Sequence, residues 1–410
     1  MGNKLHDKTY LFNVKGVNII GNAQNGAIIG LDKSGLEFIH EIEQNKPSAH
    51  SLLQQEQLMN ALKQYGYFEK QEKSLKNAYL HVTDRCNLSC AGCYSYVENR
   101  NMRDELSVKK LIEIVDQLSS CGVRGVVISG GEPFLREDIV QILAHLKDLN
   151  IEVSVITNGT INWKIVEKAV PFIDILNVSV DGYNRETKFI RNDGIMDKVL
   201  DFIIHFKEII PINLIFTIHK QNVDYMKKYI DLAADLNVSF NFSIFTVDPY
   251  DETLSHLVLE KNDIIKIANL INEEDDIYIE DSIVHGHSDG VDGLCCRTGC
   301  GLGHSIISIA ANGDVFPCHM LHTPDFKLGN LCVNSLKTIL EKQRNIWDTL
   351  TVNSIKDCET CEYKYLCGGG CRGRSYLYNN TLTNKDPFCL LTKMYLDQRT
   401  KIFNKFTQEK

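Results

Sequence analysis

No apolar run in this 410-residue chain approaches the ~20 residues that a membrane-spanning helix needs. The opening MGNKLHDKTYLF also lacks the apolar centre of a secretion signal. No membrane association is expected, and the protein reads as cytoplasmic. Positive charge is in deficit: 44 Lys and Arg against 53 Asp and Glu leave a formal charge of −9, which argues against a nucleic-acid groove or an anionic membrane surface. There is no long disordered tract, since apolar residues make up 43% and charged residues 24%, a globular composition. Cysteine is absent before Cys86, yet ten of the 14 cysteines lie between Cys295 and Cys389. A secreted disulfide protein spreads its cysteines along the chain, so in a reducing compartment such clustering points to metal sites.

The length predicts two or three domains. In residues 1–75, YLFNV, VNIIG and GAIIGLD are β-branched runs separated by Gly and Asn, as expected for a three-stranded antiparallel sheet. Two helices follow, in SGLEFIHEIEQ with Ser34 as N-cap and in LLQQEQLMNALKQYGYF, which makes a small α+β, winged-helix-like unit. Residues 76–280 alternate strand and helix. The strands are AYLHV, GVVIS, EVSVIT, LNVSV, NLIFTI and FNFSIF, and the helices between them include SVKKLIEIVDQLSS, REDIVQILAHLKDL and NVDYMKKYIDLAADL. Six such repeats predict an α/β fold, a parallel sheet curled into a partial (β/α)6, TIM-like barrel whose chemistry sits at the C-terminal strand ends. Residues 281–410 have short strands, Gly-rich turns and most of the cysteines, and metal ligation would supply stabilisation that packing does not.

The first strand runs into DRCNLSCAGCYSYVEN, which carries Cys86, Cys90 and Cys93 in one short loop at the barrel mouth. Four thiolates normally hold a four-iron cube, so three leave one iron open. The competing reading is a zinc site with Cys121 as fourth ligand, although zinc ligands usually come in pairs.

This loop, together with SGGEP at Ser129–Pro133 after the second strand, resembles the radical S-adenosylmethionine (radical SAM) enzymes. The resemblance implies that Cys86, Cys90 and Cys93 hold a [4Fe-4S] cluster whose open iron chelates S-adenosylmethionine. Its reductive cleavage gives a 5′-deoxyadenosyl radical. The family pattern further implies that Gly130, Gly131 and Glu132 hold the methionyl ammonium. It puts Ser179 and Asp181, in NVSVDG, at the ribose and Arg191 at the carboxylate, while TNGT at 157–160 ends the third strand. The residue before the third cysteine is usually aromatic and contacts adenine. Here it is Gly92, and Tyr94 is the substitute expected from the sequence. A capping Ser, a turn Asp and a solvated Arg are the structural readings of Ser179, Asp181 and Arg191.

The later cysteines resemble the SPASM extension of that family, which carries two auxiliary iron–sulfur clusters. By its interleaved order, Cys300, Cys318 and Cys371 would hold the first, with Cys295 or Cys296, or neither, as fourth ligand. Cys358, Cys361, Cys367 and Cys389 would hold the second. The alternative is a zinc ribbon on Cys358, Cys361, Cys367 and Cys371. Cys121, Cys332 and the unused member of the 295–296 pair are expected in the core.

SPASM enzymes of this kind modify peptides and proteins. Sulfatase maturases carry an Asp directly after the cysteine of the G-x-x-x-x-C string, whereas here Gly313 to Cys318 is followed by His319, a form similar to maturases of ribosomally made peptides. The first 75 residues resemble the small domain that recognises leader peptides in that group. The expected function is hydrogen abstraction from a precursor peptide and closure of a thioether or carbon–carbon cross-link, with a flavodoxin- or ferredoxin-type protein as reductant. The alternatives are an anaerobic sulfatase (formylglycine-forming) maturase and a non-catalytic, zinc-stabilised binding protein.

Overall fold

The computed structural model describes residues 4–44, 52–70, 75–273 and 294–403. The expected boundary at 280/281 lies outside them. Strands β1 (Thr9–Val14), β2 (Val17–Asn22) and β3 (Ile28–Leu31) form an antiparallel sheet in that order. The first hairpin turns on Lys15 and Gly16, both at positive φ, the two-residue turn whose twist matches the flanking strands. Helices Lys33–Glu43 and Leu52–Gln64 follow. The first is capped by Asp32, not by the expected Ser34. The Asp32 carboxylate accepts the Gly35 amide and the Ser34 hydroxyl, which places negative charge at the helix N-terminus and leaves Ser34 inside the helix. Ile20, Leu31, Ile39, Leu62 and Tyr67 close this small core.

The six expected parallel strands are present as β4 (Asn77–Thr83), β5 (Gly125–Gly130), β6 (Glu152–Thr157), β7 (Ile175–Val180), β8 (Ile212–Ile218) and β9 (Ser239–Ile244), each beside its sequence neighbour. Alternate residues such as Val126, Ile128, Val153, Val155, Leu176 and Val178 are buried in the main core. That core includes residues of helices Val108–Ser120 and Ile139–Asp148. The opposite face of the same strands carries Tyr79, His81, Ser129, Ser154, Asn177, Ser179 and Asn213. Asn177 donates to Ser154 (2.6 Å) and Asn213 to Asn177 (2.9 Å), so this face is polar and internally bonded. The fold is a parallel α/β sheet with one apolar and one polar face, and the polar face is the one left for chemistry.

The sheet continues past β4 into the cysteine-rich region. Strand β10 (Ile306–Ile309) pairs parallel to β4, and β11 (Asp314–Phe316) and β12 (Gly329–Asn330) add antiparallel strands outside it. The sequence pattern did not disclose this seam, because β10 to β12 are only two to four residues long. The strand that leads into Cys86 is thereby bonded on one side to β5 and on the other to the chain between Cys300 and Cys318. Among the described residues, no helix is long and apolar enough to cross a membrane.

Candidate functional site

The loop carrying Cys86, Cys90 and Cys93 is fixed by the ends of several strands. Gly131 donates its amide to Thr83 O and Glu132 to Arg85 O, both at 2.8 Å, so the turn after β5 lies directly on the chain entering the loop. A Cβ on Gly131 would stand 2.0 Å from Arg85 O, and one on Gly130 2.2 Å from Thr83 O. The two glycines are thus needed for backbone to meet backbone, besides any approach to a ligand. Ser95 donates to Gly130 O (2.6 Å), Asn101 accepts the Cys86 amide (2.9 Å), Asn192 accepts the Ser89 amide (2.8 Å), and Ala91 donates to Ile190 O (2.8 Å).

The three thiols lie close enough to act on one another's charge, Cys93 on Cys86 and both of these on Cys90. Burial raises the Cys86 and Cys90 thiols, against the opposing pull of Arg100 at the first and Arg191 at the second. Donors reach two of the sulfurs, Arg100 Nη1 at 3.8 Å from Cys93 Sγ and Asn158 Nδ2 at 3.9 Å from Cys86 Sγ. Among the described residues, no three His, Cys, Asp or Glu side chains converge on a point that a single ion would fill. A cube takes one thiolate on each iron and so spreads its ligands wider, and three cysteines of one short loop with N–H donors at two of their sulfurs fit it. Cys121 closes helix Val108–Ser120 beside Ser120 and Lys337 and packs on the main core, apart from the trio that the zinc reading would have it join.

The other expected contacts fall around this loop. Glu132 is fully buried, and its carboxylate accepts the Asn158 amide (2.7 Å), the Thr157 hydroxyl (2.9 Å) and the Phe134 amide (3.2 Å). Burial outweighs these bonds and lifts its pKa to about 7. Asp181 is buried and accepts the amides of Phe189, Ile190 and Arg191 at 2.8, 3.0 and 3.2 Å, so it shapes the turn that presents Arg191. The Arg191 guanidinium opposes the effect of burial at both Cys90 and Glu132. Ser179 lies on the polar face of β7, partly exposed. Tyr94 donates or accepts a 2.6 Å hydrogen bond with Ser129, and its hydroxyl is pushed up to about 12 by burial. Tyr94 as a whole residue nevertheless keeps 45% of its surface accessible.

Gly92 has a clear physical reason. A Cβ there would meet Phe245 Cζ at 2.3 Å, because Phe245, at the end of β9, fills the space a side chain at 92 would take. The aromatic group of this corner comes from another strand. Sequence reasoning also missed the buried imidazoles at the β4–β10 seam. The His81 ring lies 4.7 Å from that of His322 and 6.1 Å from that of Tyr94, and His319 stacks at 4.3 Å on Tyr79. Burial lowers the pKa of His81 well below the usual range and that of His322 to about 4, so both are neutral at pH 7. Only pairing of β10 with β4 brings them together, and no local signal announces it.

The later cysteines divide into two neighbourhoods. Cys358 feels the charge of Cys389 and Cys361, Cys367 that of Cys389 and Cys358, and Cys389 that of Cys361. Cys371 instead feels Cys300. Cys300 and Cys318 both pack against Leu302, Leu321 and Trp347. Met320 donates its amide to Cys318 Sγ (3.5 Å) and lies against Gly373, two residues past Cys371. Between the groups sits the buried pair Arg374–Asp386 (2.8 Å), whose carboxylate also accepts the Cys371 amide at 2.6 Å. Charge effects couple Cys358, Cys361, Cys367 and Cys389 with one another and Cys371 with Cys300. Cys332, expected in the core, is exposed, because it stands in the turn after β12 where its amide bonds to Asn330 Oδ1.

Residues 80–233 match the model of the radical SAM superfamily, and residues 300–362 that of the SPASM iron–sulfur cluster-binding domain. The chain carries a radical SAM domain followed by a SPASM domain. Among curated relatives, the AdoMet-dependent heme synthase of Methanosarcina barkeri is 27% identical over 75% of this chain and 94% of its own length. Mycofactocin maturase MftC of Mycolicibacterium smegmatis is 25% identical over 75% of this chain and 81% of its own length. Among solved structures, SuiB of Streptococcus suis bound to precursor peptide SuiA superposes with a TM-score of 0.58 at 18% identity, covering 94% of this chain and 99% of SuiB. At that identity the likeness is one of fold. The radical SAM domain supplies the parallel strands β4 to β8 and the trio loop, and the SPASM match begins at Cys300 and ends just past Cys361.

Proposed function

We propose that the protein is a radical SAM peptide maturase in three units, residues 1–75 for leader recognition, 76–280 for radical generation and 281–410 for two auxiliary clusters. The partition of the thiols carries this reading: one trio at the end of β4, and two further groups around Cys358/Cys361/Cys367/Cys389 and Cys300/Cys318/Cys371. Three [4Fe-4S] clusters follow from it. When bound, the first cluster and S-adenosylmethionine supply a one-electron cleavage that yields a hydrogen-abstracting 5′-deoxyadenosyl group. The chain's own residues bind and orient. Backbone at Gly130–Glu132 would receive the methionyl ammonium, the Arg191 guanidinium the carboxylate, and Tyr94, Ser179 and Asp181 the adenosine.

A peptide as substrate is supported by the relatives named for peptide maturation and by the N-terminal sheet. β1 and β3 are its outer strands, and an extended leader can add to such an edge through main-chain hydrogen bonds. That sheet is fastened to the C-terminal region, with the Lys15 amide on Glu362 (3.1 Å) and the Lys15 ammonium on Asp397, so a bound leader is held at a fixed place relative to the polar face of the parallel sheet. The product is a thioether or carbon–carbon cross-link, the setting is the cytoplasm, and the electron donor is of flavodoxin or ferredoxin type.

The test is anaerobic incubation with S-adenosylmethionine and dithionite, then with a synthetic short Gly- and Cys-containing precursor peptide. Formation of 5′-deoxyadenosine and loss of two hydrogens from the peptide per new bond are expected. Absence of 5′-deoxyadenosine from iron-loaded protein refutes the radical reading. A hydrazide-reactive carbonyl on the peptide would indicate formylglycine chemistry instead.

A further inference from the structure

Four arginines are buried among the described residues: Arg100, Arg136, Arg372 and Arg374. A guanidinium taken out of water is costly unless an anion offsets it. Two of the four are offset within the chain, Arg136 by Asp138 (2.7 Å) and Arg374 by Asp386 (2.8 Å). Arg100 and Arg372 form no ion pair among the described residues, and both stand beside cysteines assigned to clusters. Arg100 Nη1 lies 3.8 Å from Cys93 Sγ, and the charge of Arg372 favours the thiolate form of Cys358.

Arg372 is 3% exposed and opens the helix Arg372–Asn379 directly after Cys371. Its Nη1 donates to Leu382 O at 2.8 Å and to Asn384 O at 2.7 Å, its Nη2 to Gly369 O, and its Nε to Gly370 O at 3.4 Å. Gly368, Gly369 and Gly370 all have positive φ (69, 89 and 72°), a left-handed run that glycine alone takes readily, and it brings two carbonyls onto the guanidinium between Cys367 and Cys371. Every hydrogen-bond partner of Arg372 is thus a main-chain carbonyl. Carbonyl dipoles solvate a cation without cancelling its charge.

The anion that is missing can come from Cys358, Cys361, Cys367 and Cys389, since a four-iron cube on four thiolates is negative in both of its redox states. Lys385 and Lys393 also act on Cys389, but both are exposed, and water and salt screen them. Asp386 acts on Cys367 and Cys389 in the opposite sense, and its charge is matched by Arg374. Arg372 is left as the buried, unmatched charge of this neighbourhood.

We propose that Arg372 is the built-in counter-cation of the second auxiliary cluster, as Arg100 is at the radical cluster, and that its charge raises that cluster's reduction potential. The proposal rests on the three-cluster reading above. One-electron reduction adds a negative charge to the cube, and a guanidinium shielded from water favours the more negative form. The competing reading makes Arg372 only a staple that ties the glycine turn to residues 382–384. Charge and staple are separable, because Lys keeps the charge without the fork and Met keeps the bulk with neither.

The test is a potentiometric titration read by electron paramagnetic resonance, in a Cys86→Ala/Cys90→Ala/Cys93→Ala parent and in the same parent carrying Arg372→Met or Arg372→Lys, with iron counted in each. If adding Cys389→Ala to the parent removes no iron, no cluster sits at these cysteines, and the three-cluster reading falls together with the proposal. If it removes about four, the signal lost with it is the one to follow. Arg372→Met should then shift the reduction equilibrium of that signal at least tenfold toward the oxidised form, about 59 mV for one electron, while Arg372→Lys stays within about threefold of the parent. A smaller shift in Arg372→Met at full iron, an equal shift in Arg372→Lys, or a larger shift in the other auxiliary signal overturns the proposal. Should Arg372→Met lose the cluster, Arg372→Lys decides: full iron at the parent's potential upholds the charge role, and loss of iron there too leaves only the staple and overturns it.

Discussion

Replacing Gly131 by Ala asks whether the turn after β5 and the cysteine loop behave as one rigid body. The added methyl would stand 2.0 Å from Arg85 O and 2.6 Å from Asp84 O, both backbone atoms that cannot rotate aside. Relief requires the turn and the loop to part by roughly 1 Å or more, which stretches the Gly131–Thr83 and Glu132–Arg85 hydrogen bonds, each 2.8 Å long. Overpacking of this kind costs ~1–3 kcal/mol. Weakening two backbone hydrogen bonds adds ~1 kcal/mol each. The total of about 3–5 kcal/mol is a large part of the ~5–15 kcal/mol that holds a typical domain folded. For a unit of ~200 residues it lowers the melting temperature by about 10 °C. Because Arg85 directly precedes Cys86, the displaced segment carries a cluster ligand, so iron should fall by about four per chain while the auxiliary signals persist. The assay is an anaerobic thermal melt with parallel iron analysis, against Gly30→Ala, where the nearest atom to the new methyl is 3.8 Å away. Full iron and a melt within ~2 °C of wild type would refute the reasoning.

Cys389→Ala should lose about four irons, as should Cys371→Ala, with different resonance signals disappearing; a Cys389 variant that keeps all its iron would revive the zinc ribbon. Arg100→Met removes a buried cation whose Nη1 lies 3.8 Å from Cys93 Sγ. The first cluster's reduction potential should then fall, since a nearby positive charge favours the reduced form; an unchanged potentiometric titration would refute the role. Glu132 titrates at about 7 in the folded chain, above the ordinary carboxylate value of 4.5. The folded state therefore holds a proton that the unfolded state has released. This contribution is complete below pH ~4.5 and is lost as pH rises to ~7, about 3 kcal/mol in all. Denaturant stability of Glu132→Gln should slope less steeply than wild type between those values, and parallel curves would remove the burial argument.

The fold was legible where local pattern and global structure agree. β4 to β9 are runs of six or seven residues with helices of ten or more between most of them, and each of these strands pairs with the next in sequence, so periodicity alone orders them. Strands β10 to β12 were not legible as part of that sheet. Two to four residues carry no period, and their partner, β4, lies more than two hundred positions earlier. The N-cap at Asp32 was missed for a smaller reason: Ser and Asp both cap well, and which of the two oxygens meets the Gly35 amide depends on where the chain leaves β3.

Within the site, spacing was informative only for residues whose chemistry is local. Three cysteines in eight positions stay together in one loop whatever surrounds them, and Cys389 comes within charge range of Cys361 across the intervening chain. The corner beside Gly92 shows the opposite case. From the sequence an aromatic side chain is absent there, and the neighbouring Tyr94 is the natural substitute, but Tyr94 is held by Ser129 while Phe245, 153 positions away, occupies the space. A small residue in a crowded site is therefore evidence about its neighbour as much as about itself. The same logic joins Gly21 and Gly26 to Cys296 and Cys295, and Gly131 to the loop before Cys86. In each, a missing side chain marks a contact between segments far apart in the chain.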